Sequence, residues 1–432
     1  MPKIDTFRTD PVFSSLPEAD KVFLAEQADR YRLSVQDLRG CIAIAADIRC
    51  WQLGSIGDYW PVGPAPHDRK AALAALHAWW NDRKLAGPDY SGEPDEATRP
   101  EGSATARPAR VTVTDEPARI LGRCPVYSPV TRCCGLRTLD AVRNCAFGCS
   151  YCSIQSFFFD DEVIMYDDLS GRLARIEAEL DPETVYHIGT GQSSDSLVWG
   201  NRLGNLDALN GFAARNPNVI VELKTKSANI EALLDREIAP NILVTWSLND
   251  PAVARWEEHG TASVEARLRA ARRVADAGTL VGFHVHPIIR HRQWRSGYDR
   301  LVDVVVSEFE PIEVAMVSIG TLTYTKPVVR RIRAAARPTR ALQMPLVESA
   351  GKLSYPIEWK AEMFGRLYSA FARWQIDDGP FFYLCMEDSS LWRTVFGYEY
   401  ATNDEFETAM TDSYLRKITA LRDRRRPRTP GV

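Results

Sequence analysis

The nine residues NCAFGCSYC, at positions 144–152, place three cysteines within one short loop. Cys145, Cys149 and Cys152 have a Cys-x3-Cys-x2-Cys spacing and follow an apolar run, Leu136 to Val142, that is typical of a strand. Iron–sulfur clusters are held by cysteine thiolates, normally four for a cubane. Three ligands from one loop leave one iron open to a small molecule, so we interpret the loop as an iron–sulfur cluster site. The alternatives are a zinc site, which needs four closed ligands, and three separate core thiols.

This spacing resembles the signature of the radical S-adenosylmethionine (SAM) superfamily, and Tyr151, just before the last cysteine, also fits it. The resemblance implies a [4Fe-4S] cluster whose open iron binds the amino and carboxylate groups of SAM. It also implies a one-electron reductant, such as flavodoxin or ferredoxin, as a partner. SAM would then split into methionine and a 5′-deoxyadenosyl radical, which abstracts a hydrogen from the substrate.

Composition limits the classes that remain. The chain has 432 residues, 45% hydrophobic and 25% charged, with a formal net charge of −4, which excludes a uniformly basic nucleic-acid binder. No apolar run reaches the ~18 residues that span a bilayer, and the first residues lack the apolar core of a signal peptide. Nine cysteines in a chain of this length do not resemble a disulfide framework. We therefore expect a cytoplasmic protein without a membrane partner.

Changes in composition and periodicity divide the chain into four parts. Residues 1–86 have the spacing of amphipathic helices, and their tryptophans are interpreted as core. Residues 87–117 are rich in Pro, Gly and Ser and are predicted to be a flexible linker. Residues 118–340 are predicted to be a radical SAM barrel. Residues 341–432 are predicted to be a helical, α+β extension with a basic tail, and its strand Phe381 to Cys385 would cover the open edge of the barrel.

The barrel prediction rests on alternating strands and helices. After the cysteine loop, Val- and Ile-rich runs alternate with helical patterns, which favours an α/β fold with a parallel sheet. The predicted strands are Thr184–Gly189, Val219–Lys224, Ile242–Leu248, Leu280–Ile288 and Val314–Ile319. With the strand before the loop they make six, so we predict a partial (β/α)6 barrel, which is also the usual radical SAM architecture. Chemistry in such sheets gathers at the carboxyl ends of the strands.

Motifs at these strand ends carry a closer resemblance. The runs YCSIQ at 151–155, TGQSSD at 190–195, TKS at 225–227, SLN at 247–249 and YTKP at 324–327 occur in the order found in spore photoproduct lyase and its relatives. The chain resembles that family over about residues 136–330. The resemblance implies that Ser194, Lys226 and Ser247 contact SAM and that His286 lines its pocket. Asp195 adds an acceptor for an amino group or a ribose.

The chain also departs from the family pattern. Spore photoproduct lyase returns a hydrogen through a cysteine two residues before the SAM-contacting serine, and that position is Gln192 here. The tyrosine that follows the last cluster cysteine in the family is Ser153 here, whereas Tyr151 remains. Cys385, directly after a predicted strand, is interpreted as a buried thiol, and the alternative is a hydrogen donor or ligand. The candidate catalytic residues are therefore Tyr151, Gln192 and Cys385.

Basic and aromatic residues near the predicted barrel mouth suggest a nucleic-acid substrate. Arginines bind phosphates and aromatic rings stack on bases, so the candidate contacts are Arg290, Arg292, Trp294, Arg330 and Arg333. The alternative is the solvated face of an ordinary helix. Cys124, Cys133 and Cys134 are interpreted as buried or free thiols because their spacing is irregular.

Three functional hypotheses follow. The first is a radical SAM relative of spore photoproduct lyase with another substrate, DNA or a nucleotide being the candidates. The second is a genuine DNA photoproduct lyase with a different hydrogen donor. The third is a nucleic-acid-binding iron–sulfur protein without turnover.

Overall fold

The computed structural model describes residues 3–61, 68–93, 110–124, 127–128, 130–153 and 162–425. The helices in its N-terminal part are α1 (Pro11–Ser14), α2 (Glu18–Arg30), α3 (Val35–Cys50) and α4 (Arg69–Ala86). α3 begins at a capping box, in which Ser34 Oγ accepts from the Asp37 N–H at 3.1 Å and the Asp37 carboxylate accepts from the Ser34 N–H at 2.8 Å.

These N-terminal helices have an apolar core of their own. Trp60 lies within that core, and Trp79 and Trp80 pack against its edge. The prediction of a helical region with core tryptophans is confirmed.

The remaining strands and helices follow in chain order. The strands are β1 (Arg110–Thr114), β2 (Leu121–Arg123), β3 (Arg137–Leu139), β4 (Val142–Arg143), β5 (Glu162–Tyr166), β6 (Tyr186–Gly189), β7 (Val219–Thr225), β8 (Ile242–Leu248), β9 (Leu280–Ile288), β10 (Val314–Thr321), β11 (Thr323–Tyr324), β12 (Val347–Ser349), β13 (Lys352–Ser354) and β14 (Phe381–Leu384). The helices are α5 (Leu169–Glu177), α6 (Asn205–Arg215), α7 (Glu231–Leu234), α8 (Pro251–Glu257), α9 (Val264–Asp276), α10 (Trp294–Glu308), α11 (Lys326–Ala335), α12 (Ile357–Ala370), α13 (Ser389–Phe396) and α14 (Asn403–Arg425).

An eight-stranded, curled sheet is the centre of the fold. Its order is β14-β10-β9-β8-β7-β6-β3-β2. Every neighbouring pair from β3 to β14 is parallel, and β2 adds an antiparallel edge. The predicted α/β partial barrel is confirmed. Strands corresponding to all six predicted ones are present, and the sheet gains one strand at each edge.

The carboxyl end of β14 meets the opposite edge of the sheet. β14 does more than cover the open edge, because it pairs in parallel with β10, from Met316 opposite Phe381 to Ile319 opposite Leu384. Beyond it, the Arg132 N–H donates to the Glu387 carbonyl at 3.0 Å in an isolated bridge. Arg132 lies between β2 and β3, so this bridge joins the β2–β3 connection at one edge of the sheet to the residues that follow β14 at the other.

Two sequence predictions of element bounds are wrong. The predicted linker 87–117 contains β1, which pairs residue by residue with β5, and Tyr90, which is buried. The pairing of β1 with β5 and the burial of the Tyr90 ring offset the conformational entropy that these residues lose on folding. Residues 94–109 of that linker lie outside the described residues. The predicted strand 136–142 is also divided, since β3 belongs to the central sheet whereas β4 joins β5 and β1 in a second one.

None of the helices within the described residues combines the length and hydropathy that a bilayer crossing requires.

Candidate functional site

The cysteine loop leaves β4 at a residue with unusual backbone geometry. Asn144 has φ 67°, a left-handed conformation that asparagine tolerates better than most residues. Its side-chain oxygen accepts from the Cys145 N–H at 2.8 Å, and its amide group donates to the Glu162 carbonyl at 3.1 Å. The loop therefore turns sharply away from the small sheet before the first thiol.

The three cysteine thiols of the loop interact with one another electrostatically. Burial raises the pKa of both Cys145 and Cys149, and each is raised further by the Cys152 thiol. The Phe147 N–H donates to Cys145 Sγ at 3.5 Å, and such peptide–sulfur bonds tune iron–sulfur clusters. Within the described residues, no three His, Cys, Asp or Glu side chains are grouped so as to hold one metal ion.

The loop is fastened to the turn after α8. The Gly148 N–H donates to the His259 carbonyl at 2.9 Å, and the Ser150 N–H donates to the Glu257 carbonyl at 2.8 Å. The Tyr151 hydroxyl donates to the carboxylate of Glu258. These bonds fix the loop on both sides of its second cysteine, Cys149.

Glu258 is the centre of a buried ion network beside the loop. Its carboxylate lies 2.9 Å from Lys226 Nζ and 2.6 Å from an Arg267 nitrogen. Burial opposes its ionisation, yet Lys226 and Arg267 hold the pKa of Glu258 at about 2. Lys226 Nζ is therefore already paired with Glu258. To bind a SAM carboxylate, it would have to exchange this contact for one with the ligand.

Asp195 holds the loop after β6 in place. One carboxylate oxygen accepts from the Leu197 and Val198 N–H groups at 3.0 and 2.9 Å and from the Thr225 hydroxyl at 2.8 Å. The other accepts from the Lys226 N–H at 2.7 Å. Four internal donors bind this buried carboxylate, which gives it an anchoring role, and its contact with a ligand remains a prediction.

Two buried hydroxyl groups at this end of the barrel have no hydrogen-bond partner among the described residues. They are Ser194 Oγ and the Tyr324 hydroxyl, and Tyr324 interacts electrostatically with Cys152. Leaving a buried hydroxyl unpaired costs free energy, which a ligand at this position would recover. The thiol donors and these two hydroxyls fit a cluster with a polar small molecule beside it.

The inner face of the sheet carries a polar layer next to these groups. Strand alternation and the register Ser247–His284 and Ser318–His284 put Ser247, His286 and Gly320 on one face of the sheet. A β-carbon on Gly320 would lie 3.1 Å from the His286 ring. Burial, with Lys224 nearby, lowers the pKa of His286 to about 3, so its ring is neutral at pH 7.

Comparison with known proteins settles the family. A family model described as spore photoproduct lyase matches residues 139–354, half of the chain. The chain belongs to the spore photoproduct lyase family. The predicted resemblance to this radical SAM family is confirmed.

Individual relatives within the spore photoproduct lyase family are distant. The spore photoproduct lyase of Geobacillus sp. (strain Y412MC61) is 28% identical over 195 residues, which is 44% of this chain and 57% of that relative. The spore photoproduct lyase of Bacillus subtilis (strain 168) is 34% identical over 92 residues, which is 21% of this chain and 25% of that relative. The chain thus spans little more than half of the first relative.

Solved spore photoproduct lyase structures share the fold. One, complexed with dinucleoside spore photoproduct, has a TM-score of 0.54 at 21% identity and covers 63% of this chain and 82% of its own. A variant with bound AdoMet and dinucleoside spore photoproduct has a TM-score of 0.51 at 21% identity, covering 63% of this chain and 81% of its own. At this identity the likeness concerns the fold alone.

The position of the family's relay cysteine is occupied by Gln192, which is half-buried. Cys385 follows β14, and its N–H donates to the Ile319 carbonyl at 2.8 Å. Because Tyr383 is opposite Ser318, alternation puts Cys385 on the inner face with His286. Burial raises the pKa of Cys385 to about 12, so its sulfur keeps its hydrogen at neutral pH.

The three cysteines between β2 and β3, Cys124, Cys133 and Cys134, are near Cys385. Cys133 and Cys124 interact with it electrostatically. A hydrogen bond from Cys134 lowers the pKa of Cys133 to about 7. Cys133 is buried and Cys134 is half-buried against the main core, as the sequence interpretation expected.

Two of the five predicted nucleic-acid contacts are corrected. Trp294 is only 3% exposed and starts α10 in the core, so it cannot stack on an incoming base. Arg333 is bound through two nitrogens to Asp47 of α3, at 2.7 and 2.8 Å. The sequence did not predict this pair, because Asp47 is far from Arg333 along the chain and the basic residues of α11 have the spacing of an exposed helix face.

The other three arginines remain nearer to solvent. Arg292 and Arg330 are exposed and pair with Asp89 and Asp10 at 2.8 and 2.7 Å. The guanidinium carbon of Arg290 lies 3.8 Å from the centroid of the Trp359 ring.

The sequence analysis did not predict a buried network of hydrogen bonds and ion pairs around Glu222 of β7. Glu222 accepts from Thr245 Oγ1 at 2.7 Å and lies 2.6 Å from His284 Nε2 and 2.9 Å from His187 Nε2. Burial, then Lys224, lowers the pKa of His284 to about 4. The available signal was the alternation along β7, which puts Glu222 and Lys224 on one face.

Proposed function

We propose that this protein is a radical SAM enzyme of the lyase type, with Cys145, Cys149 and Cys152 holding a [4Fe-4S] cluster. The observation that carries the proposal is the gathering of these three thiols, and of no fourth cysteine, in one anchored loop of a spore photoproduct lyase family member. These cysteines would hold three irons of the cluster and leave one open to SAM, and the bound cluster would supply the electron for reductive cleavage of SAM.

The chain's own groups would bind and orient SAM. Ser194 Oγ is a buried hydroxyl without a described partner, and Ser247 and His286 lie on the inner face nearby. Lys226 would reach a carboxylate by exchanging one contact with Glu258, while Arg267 keeps that glutamate charged. Tyr151, bonded to the same glutamate, holds the third cysteine in place.

The proposed substrate class is damaged DNA or a damaged nucleotide. Support comes from the named complexes of the structural neighbours with dinucleoside spore photoproduct, which is therefore the first compound to test. Arg290, Arg292 and Arg330 are the candidate phosphate contacts. A flavodoxin- or ferredoxin-type reductant and a cytoplasmic location complete the proposal.

We further propose that Cys385 donates the hydrogen that Gln192 cannot. Its S–H bond would break as a C–H bond forms on the substrate-derived radical, leaving a sulfur radical on Cys385. That sulfur radical would regain its hydrogen as an electron from the reductant and a proton from water. Cys385→Ala would then consume SAM without forming repaired product, whereas Cys133→Ala would still form it.

The test is anaerobic turnover of reconstituted protein with dithionite, SAM and dinucleoside spore photoproduct, analysed by mass spectrometry. We expect 5′-deoxyadenosine and repaired dinucleoside from wild type and neither from Cys149→Ala. A cluster without 5′-deoxyadenosine would favour a non-catalytic iron–sulfur protein. 5′-Deoxyadenosine without repair would point to another substrate.

A further inference from the structure

A buried carboxylate next to the cysteine loop is bound from two directions. Glu257 is fully buried. One of its carboxylate oxygens binds the Ser150 hydroxyl and accepts from Thr339 Oγ1 at 2.7 Å. The other accepts from the Tyr90 hydroxyl at 2.8 Å and the Arg340 N–H at 2.8 Å. The residue that holds Ser150 is thus itself held by Tyr90, from a part of the chain before the family match at 139–354.

The segment that carries Tyr90 is well fixed. Its ring is 1% exposed. On one side the Trp256 indole N–H donates to the Gly92 carbonyl at 2.8 Å. On the other, the Arg292 N–H donates to the Pro88 carbonyl at 3.0 Å. Residues 88–92 therefore present the Tyr90 hydroxyl to Glu257 from a rigid support.

We infer that Tyr90 is a positioning residue for the iron–sulfur cluster, acting through Glu257 and Ser150. This inference rests on the proposed cluster at Cys145, Cys149 and Cys152. Ser150 lies between the second and third of these cysteines and is bound by Glu257 through both its N–H and its hydroxyl. Loss of a group that orients a metal ligand typically costs about 10–100-fold in metal affinity or activity. The segment before the barrel is thus part of the cluster site.

The inference can be tested with a single hydroxyl deletion and a matched control. Tyr90→Phe removes the donor to Glu257 and keeps the ring. Tyr59→Phe removes a hydroxyl that donates to the Leu53 carbonyl at 2.7 Å in the N-terminal helices, far along the chain from the loop. Ser150→Ala removes the hydroxyl at the loop end of the same connection.

Three properties are measured anaerobically. They are the iron and sulfide content, the rate at which a chelator bleaches the cluster absorbance, and the EPR spectrum of the reduced protein with and without SAM. We expect Tyr90→Phe and Ser150→Ala to lose the cluster about tenfold faster than wild type and to show an altered EPR shift on SAM addition. Tyr59→Phe should behave as wild type. Circular dichroism checks that each variant is folded.

The outcomes separate this inference from the proposed function. If wild type holds a cluster and Tyr90→Phe matches it in retention and in EPR spectrum, the positioning role is wrong. If Tyr59→Phe loses the cluster as fast as Tyr90→Phe, the effect is general destabilisation and the inference also fails. If wild type itself assembles no cluster, the proposed function fails first.

Discussion

Gly191 lies where the loop after β6 passes over β7. A β-carbon there would be 2.5 Å from the Lys224 carbonyl oxygen and 2.6 Å from the Lys224 β-carbon. The close approach is to backbone, which cannot move aside as a flexible side chain can. This contact requires glycine at the entrance of the candidate SAM site.

We expect Gly191→Ala to lower the free energy of unfolding by about 2 kcal/mol, because the added carbon overpacks a fixed contact. Gly365→Ala is the control, since no atom lies within 4 Å of its β-carbon position and alanine favours the α12 helix. Urea denaturation measures both. Equal stability of Gly191→Ala and wild type would mean that the loop does not lie against β7.

His286 gives a prediction on pH. Its pKa is lowered to about 3 in the folded protein, whereas an unfolded histidine titrates near pH ~6.5. Below that pH the unfolded chain binds the extra proton, so stability falls as pH drops from about 6.5 towards 3.

The variant His286→Gln removes this contribution. Between about pH 6.5 and 4.5 it should lose roughly 2 kcal/mol less unfolding free energy than wild type. Urea denaturation at the two pH values gives the difference. Parallel losses in the two proteins would show that the ring is not kept neutral by burial.

At the scale of single residues, the sequence predicted those residues whose role follows from their spacing along a short stretch of chain. The three cysteines are separated by a few positions, and their grouping in one loop follows directly. Glu258 was not predicted, because Lys226, which it binds, is 32 positions away. The anchoring role of Asp195 was not predicted for a similar reason, since two of its four donors come from the end of β7.

At the scale of elements, α11 packs against α3 through a buried ion pair. Arg333 is 16% exposed and Asp47 is 1% exposed. Asp47 also accepts from the Trp80 indole N–H at 3.1 Å. The pair connects the N-terminal helices to the barrel.

We expect Arg333→Met to lower the unfolding free energy by about 3 kcal/mol, because it leaves a buried carboxylate without its cation. Arg330→Met is the control and should change stability by less than ~1 kcal/mol, since its pair with Asp10 is on the surface. Chemical denaturation and DNA binding are measured for both. Weaker DNA binding by Arg333→Met with unchanged stability would contradict the structural role.

Element prediction succeeded where periodicity is strong. The five strands predicted after the cysteine loop, now β6 to β10, are apolar runs, and each lies within a residue or two of its predicted position, whereas β5 was not predicted. β1 and β4 are short, and their pairing with β5 depends on residues far apart in the sequence. Local composition cannot show such pairing.

At the scale of the whole molecule, closure of the sheet depends on Glu387. Its carbonyl accepts the Arg132 N–H, and its carboxylate lies 2.7 Å from Lys360 Nζ, with both side chains buried. Lys360→Met should therefore loosen both edges of the sheet at once.

We expect this variant to lose about 3 kcal/mol of unfolding free energy and to show faster hydrogen exchange at the Arg132 and Cys385 amides. Arg366→Met breaks an exposed pair with Asp299 and serves as the control. Unchanged exchange at either amide would show that the two edges are held independently. The sequence predicted the extension strand but could not predict this closure, which joins residues more than half the chain apart.

The connection through Glu257 also bears on how the protein matures during synthesis. The N-terminal helices have their own core and leave the ribosome before the cysteine loop, so they can fold before it. The three cysteines follow, but the glutamate that fastens their loop is translated about a hundred residues later. Until Glu257 is made, the three thiols belong to a loop without this contact, and we expect the proposed cluster to enter most readily in that interval.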